Sequence, residues 1–338
     1  MARLLLWIIV SYKSLAYDLL KTTLNNKKQK TQTKQKKPMK RRDILQVLGL
    51  MAVSAVMSPL ANAVDRKLLH SIMQNTDKEA TSRYILDQLL AKITSENYQS
   101  RPIGFIMGEL GLLLLGTAYV GGTLEGTPEQ CRIDLTGLDC VTFFENILCL
   151  ARITRQGKKT MNDVINEVTM TRYRGGLLRG YTSRLHYTAE WIMDNESKKT
   201  ITNITKDLGG IIFPLSVSFM SKHPQYYPPL QNNQQEIDTI RQIEQNINQH
   251  THYYIPKKEV KKIENKLMTG DIIAIATNKE GLDYAHTGII YKDKKGKARF
   301  LHASQKQKKV ILDTTISAYL KTVPSHIGIT IVRPLPVQ

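Results

Sequence analysis

A chain of 338 residues with 41% hydrophobic content can bury at least one sizeable core, in two domains or in one domain with elaborated loops. Its formal charge of +19 would alone point to a nucleic-acid partner. Yet twelve of the 48 basic residues and only two of the 29 acidic ones fall in residues 1–63, and the remaining balance of about +9 is scattered, not gathered into a stripe, which argues against nucleic acid.

Leu4 to Val10 is apolar, and Asn25 to Lys37 is a Lys/Gln/Thr run of disordered composition. Residues 1–38 are expected to be an over-extended reading frame; the rival reading is an anchor helix with a linker. Met39-Lys40-Arg41-Arg42 then opens a basic segment, an apolar run reaches Met57, and Ala61-Asn62-Ala63 has the small-x-small form of a cleavage site. The run is too short for a good membrane span. Residues 39–63 are therefore expected to be a signal peptide, with export to the periplasm or cell envelope and no stable membrane insertion after cleavage. Arg41-Arg42 hints at twin-arginine export, with ordinary secretion the default. Residues 64–338 are expected to form the working domain.

Leu68, Leu69, Ile72 and Met73 form one helical stripe, and Ile85, Leu86, Leu89, Leu90 and Ile93 form another. Ile103 to Thr117 is apolar and punctuated by Gly104, Gly108 and Gly111, as in a buried helix. A short strand is expected at Arg132–Leu135, helices at 140–155 and about 160–170, and an ordered loop from Tyr173 to Tyr187. Gln234 to Asn248, with Ile at 237, 240, 243 and 247, predicts an amphipathic surface helix. Short β-type runs follow at 271–276, 287–291, 299–302, 310–312 and 327–332. Helices first and strands afterwards predict an α+β fold, the helical half packed on an antiparallel sheet or partial barrel.

Asp139 is a good helix N-cap, which puts Cys140 at the first helical position, where the dipole and free N–H groups are expected to lower a thiol pKa. Val141, Phe144, Ile147 and Leu148 would form the buried face behind it. His286 and His302 lie on strands joined by a hairpin around Lys294–Gly296, which can set them side by side. A thiol needs one imidazole as base, and that imidazole needs an orienting partner. Cys149 reads as a buried hydrophobe, Cys131 is undecided, and an odd cysteine count leaves at least one unpaired within the chain.

Asp139-Cys140, Gly270-Asp271-Ile272, His286-x-Gly288-Ile289-x-Tyr291 and His302-Ala303 together resemble the NlpC-type cell-wall cysteine hydrolases, papain-like in fold. Closer still is the similarity to the N-acetylmuramoyl-L-alanine amidase-like family. It is carried by Leu138–Glu145, Tyr173-Arg174-Gly175-Gly176, Ser183-Arg184-Leu185-His186-Tyr187, Trp191–Asn195, Ser221-Lys222-His223-Pro224 and Gly281-Leu282-Asp283. The resemblance implies a nucleophile at a helix N-terminus, Cys140, with His286 as base and His302 as orienting residue. It implies peptidoglycan or its fragments as substrate, cut at the MurNAc–L-Ala amide or, alternatively, at a γ-D-Glu–diamino acid bond. A wall-binding module without catalysis is the rival from another class.

Tyr173, Ser183, Arg184 and His186 are candidate substrate-binding residues, since an Arg fork suits peptide or lactyl carboxylates. The plainer alternatives are packing for Tyr173 and an ion pair of Arg184 with Glu190; Glu145, one turn beyond Cys140, is either an acceptor behind the site or only a buried partner for Arg184. No cofactor is required, and His223, His250 and His252 lack acidic neighbours at metal-site spacing, so no metal is expected.

Overall fold

Pro102 stands at the N-cap of a helix that opens at Ile103, so residues 78–113 form two helices rather than one. The computed structural model describes residues 78–337; the stripe at Leu68–Met73, residues 1–38 and the signal peptide at 39–63 lie outside them. Helix α1 (Lys78–Ser95) buries Leu86, Leu89 and Ile93, and α2 (Ile103–Leu113) buries Ile106, Met107 and Leu110. The glycines of α2 are a clearance stripe. A Cβ on Gly104 would lie 2.3 Å from the Thr269 carbonyl oxygen, and one on Gly111 2.7 Å from Leu301 Cδ2. Alanine would gain about 1 kcal/mol in helix propensity, but at Gly104 the obstacle is backbone that cannot turn aside.

Strands β1 (Ala118–Tyr119) and β2 (Gly137–Leu138) are short, and helix α3 follows directly at Cys140–Arg155. The strand expected at Arg132–Leu135 is absent. Its backbone is claimed by side chains instead: Ser82 Oγ donates to the Ile133 carbonyl and accepts from Leu135 N, while Asp134 accepts from Thr136 N. Helix α3 is the central helix. Of the expected Val141, Phe144, Ile147 and Leu148, Val141 is only partly buried, and the helix also buries Phe143, Glu145 and Asn146, because α2 and α4 (Met161–Arg172) cover its flanks. Glu145 is tolerated there through Arg172 Nε at 2.6 Å and Trp191 Nε1 at 3.1 Å, as a buried charge requires.

Beyond α5 (Thr188–Ser197) come β3 (Ile201–Asn203), β4 (Ile211–Phe213), the short α6 (Phe219–Lys222) and α7 (Gln234–Gln249). Ile240 and Ile247 of α7 are buried, while Ile237 and Ile243 are only partly so. Then β5 (His252–Pro256) and α8 (Val260–Ile263) lead into β6 (Ile272–Thr277), β7 (Tyr284–Lys292), β8 (Ala298–Ser304), β9 (Lys309–Thr315), α9 (Ile316–Leu320) and β10 (His326–Pro334). The strand order is β2-β1-β9-β8-β7-β6-β10-β5-β4, with β3 on β10, and among the strands of the described residues only β1–β2 is a parallel pair. This is a mixed α+β fold on an open, mostly antiparallel sheet.

Strand alternation divides the core. On β6, Ile272, Ala274 and Ala276 face the large helical side, while Ile273 and Ile275 face a smaller cluster with Val260, Ile263, Ile316 and Leu320. Among the described residues, no helix is long and apolar enough to cross a membrane.

Candidate active site

Asp139 caps α3 as its sequence promised: its Oδ1 accepts from Val141 N (3.0 Å) and Thr142 N (2.7 Å), and Thr142 Oγ1 accepts in return from Asp139 N (2.9 Å). Cys140 therefore opens the helix with its sulfur at the seam with β7. Thr287 of β7 donates from Oγ1 to the Cys140 carbonyl at 2.8 Å. The expected depression of the thiol pKa is not found. Burial and, next, the Asp139 carboxylate push Cys140 up to about 11, against the opposing pull of the Thr287 hydroxyl and amide. The cap that starts the helix also consumes much of its dipole's benefit, since Asp139 occupies the N–H groups of Val141 and Thr142. Asp139 does not take the Cys140 N–H, which is turned to its own sulfur and opposes the rise.

The hairpin places the two imidazoles as expected. His286 Nε2 and His302 Nδ1 are 2.7 Å apart, with rings perpendicular at 87°. Gly288 makes the approach possible, because a Cβ there would sit 2.7 Å from His302 Cβ. His302 is 1% exposed and stacks on Phe300, whose ring centroid lies 4.5 Å away. Tyr319 of α9 packs against both histidines. Burial, then His302 and His326, push His286 down to about 3; burial pushes His302 down to about 4, partly offset by Asp313. At neutral pH both rings are uncharged. His286 Nδ1 makes no hydrogen bond among the described residues, and none joins that ring to the Cys140 thiol in this conformation. The connection is through the chain: His286 precedes Thr287, which touches Cys140. Asp313, which the sequence offered no reason to single out, contributes Oδ2 at 3.5 Å from His302 Nε2.

Tyr173, Ser183, Arg184 and His186 do not gather around Cys140 as a set of open side chains; each is engaged internally. Tyr173 is fully buried, its hydroxyl donating to Glu129 (2.8 Å) and Gln130 O (3.0 Å). Ser183 Oγ donates to Gly180 O. Arg184, 4% exposed, pairs with Glu125 at 2.9 Å and Glu129 at 3.5 Å and lies over the Tyr181 ring. His186 Nε2 donates to Tyr181 O, and burial followed by Arg184 pushes its pKa down to about 3. The pairings expected for Arg184 are corrected: Glu190 pairs with Arg174, and Glu145 with Arg172. Arg184 reaches the 121–136 loop instead, and so clamps the segment that leads into Cys140.

All three cysteines are free thiols. Cys149 is buried beside Thr171 Oγ1 at 3.2 Å, and Cys131 borders a cavity of about 420 Å³ with Ser82, Arg132, Asp134 and Met161. Neither His286 nor His302 lines that cavity, so its size does not make it the reactive centre. His223, His250 and His252 each bond a backbone carbonyl.

The model of the N-acetylmuramoyl-L-alanine amidase-like family matches residues 109–329, and the chain belongs to that family. The structure of an N-acetylmuramoyl-L-alanine amidase from Bacteroides uniformis is 34% identical, covers 69% of this chain and 99% of its own, and superposes with a TM-score of 0.65. A Bacteroides fragilis structure named provisionally as a xylanase is 35% identical over 66% of this chain and 98% of its own, at 0.61. A Legionella pneumophila protein, 18% identical over 77% of this chain and 97% of its own at 0.61, shares the fold. No curated protein matches the chain.

Proposed function

We propose that this protein is an exported cysteine amidase of the papain-like, NlpC-type class that cleaves peptidoglycan at the MurNAc–L-Ala amide. Cys140 is the nucleophile, His286 the base and His302 the residue that orients it. The observation that carries this reading is the 2.7 Å contact between His286 Nε2 and His302 Nδ1, on the strand whose Thr287 holds Cys140. That contact leaves His286 Nδ1 free for a thiol proton.

The shifts dictate the order of events. Thiol and imidazole are both neutral at rest, so proton transfer to His286 accompanies attack of sulfur on the amide carbon. Of the first donors of α3, the Cys140 N–H is the one left to receive the oxyanion; such a donor contributes about 3–4 kcal/mol to the transition state. His286 returns the proton to the leaving amine of L-alanine. It then draws a proton from water, which hydrolyses the thioester to the free lactyl carboxylate. Closer approach of the sulfur to His286 Nδ1, with the His302 contact kept, belongs to the substrate-bound state. The export signal in 39–63 agrees with a wall substrate in the periplasm or cell envelope.

The xylanase label of the B. fragilis relative finds no counterpart in the chemistry of this site. Glycoside hydrolysis needs a pair of free carboxyl groups, whereas Asp139 is bound into its cap and Asp313 is turned to His302. Digestion of purified peptidoglycan, muropeptides and xylan, with products identified by mass, tests the proposal. Lactyl-sugar and L-Ala-headed peptide are expected from the wild type and neither from Cys140→Ala. Split stem peptides would transfer the same site to the γ-D-Glu–diamino acid bond. Equal inertness of wild type and Cys140→Ala toward all wall substrates would leave only a binding module.

A further inference from the structure

We propose that Asp313 is a positioning residue that holds His302, and through it His286, in the tautomer able to accept the Cys140 proton. The inference rests on the thiol–imidazole reading above. For His286 Nδ1 to accept a proton, its Nε2 must carry hydrogen, and that hydrogen points at His302 Nδ1 2.7 Å away. His302 Nδ1 must then be bare and its Nε2 protonated. The acceptor waiting for that Nε2–H is Asp313 Oδ2 at 3.5 Å. The reverse tautomer of His302 would leave its Nε2 bare against a carboxylate and would protonate His286 on the wrong nitrogen.

The backbone aims Asp313 at this task. Arg299 pairs with Thr315 and Leu301 with Leu312, so two residues of β9, Asp313 and Thr314, oppose the single Phe300 of β8. Such a bulge re-aims side chains and is common beside active sites. The rest of Asp313 is tied down: its carbonyl accepts from Arg299 Nε at 2.6 Å, and Oδ1 accepts from Thr314 N at 2.6 Å. Oδ2 is left for His302. The other titratable or charged groups around the pair are Cys140 on α3, Tyr319 on α9, His326 on β10 and Arg299 on β8. Among the carboxylates, only Asp313 is hydrogen-bonded to either ring among the described residues.

Asp313→Asn in the full chain keeps the shape and removes the charge. The expected result is a fall in kcat of roughly tenfold to a hundredfold with KM near that of the parent, and an acid limb of kcat/KM displaced to lower pH, since the protonated histidines lose their counter-charge. Parent kcat with an unmoved pH profile would overturn the proposal. Cys140→Ala and His286→Ala separate the two levels: if both are dead while Asp313→Asn is parent-like, only the role of Asp313 falls. If both retain turnover, the thiol–imidazole reading itself falls. Nitrogen-15 shifts of the unmutated protein give an independent check that needs no stable variant. His302 is expected to be protonated at Nε2 and bare at Nδ1, and the opposite assignment overturns the proposal.

Discussion

Cys140 and His286 are held in uncharged forms by the same cause acting with opposite sign. Burial disfavours thiolate and imidazolium alike, so it raises one group to about 11 and lowers the other to about 3. Had an ion pair formed at rest, the shifts would have been reversed. The rate of alkylation of Cys140 by iodoacetamide is therefore expected to keep rising through pH 8 and 9, followed by mass spectrometry of the Cys140 peptide. A plateau already reached between pH 5 and 6 would mean a preformed thiolate and would contradict this account. The helix-start argument predicted such a thiolate because a sequence displays the cap and the dipole but not the burial around them. Asp313 was invisible for a related reason: its relation to His302 comes from a one-residue bulge, and no local motif announces a bulge.

At the scale of elements, Asp283 shows how two distant segments are joined. Its Oδ2 accepts from Ala189 N at 2.8 Å, capping α5 from the start of β7, and its Oδ1 accepts from Tyr284 N. Helix α5 lacks a side-chain cap of its own at Tyr187, so a residue 94 positions later in the sequence supplies one. Burial outweighs these hydrogen bonds and raises the carboxyl from 3.8 to about 6. The folded state thus binds the proton more tightly than the unfolded chain. Stability from this group is fully present below about pH 4 and is lost as pH rises through about 6, a swing of roughly 3 kcal/mol for about two pKa units. Urea denaturation should show Asp283→Asn with a flatter stability profile than the wild type between pH 4 and 7. An unchanged slope would rule out Asp283 as its source.

Elements with a strong internal period were legible from the chain alone. Helix α3 came from its cap and apolar run, and β6 to β10 from β-branched runs between turns; all are found with shifts of a few residues at their ends. The short strands β1 to β4 were not legible, because two or three residues carry no period and pair only where the larger sheet offers an edge. Burial of Glu145 was foreseen but its partners were not, since nothing local in the sequence shows that Arg172 and Trp191 meet that face. The Arg184 partners lay in a loop with no helical or strand signal, and so the pairing with Glu190, nearer in sequence, looked preferable.

Over residues 78–337 a central helix lies on an open, mostly antiparallel sheet, and the proposed chemistry sits where the helix start meets β7. The α2 glycines, the Arg184 clamp on the 121–136 loop and the Asp283 cap all fix the approach of helices to strands, and with it the seam between Cys140 and Thr287. The proposed reactive and positioning groups come from α3, β7, β8 and β9, more than 170 residues apart at the extremes, from Cys140 to Asp313; no shorter piece of the chain contains them. The central claim is that sulfur of Cys140 carries the acyl group between the two halves of the reaction. Acid-quenched mass spectrometry of the enzyme mixed with a muramyl peptide tests it most directly. A muramyl adduct on the Cys140 peptide, released by hydroxylamine, is expected; turnover with no adduct at Cys140, persisting in Cys140→Ala, would contradict it.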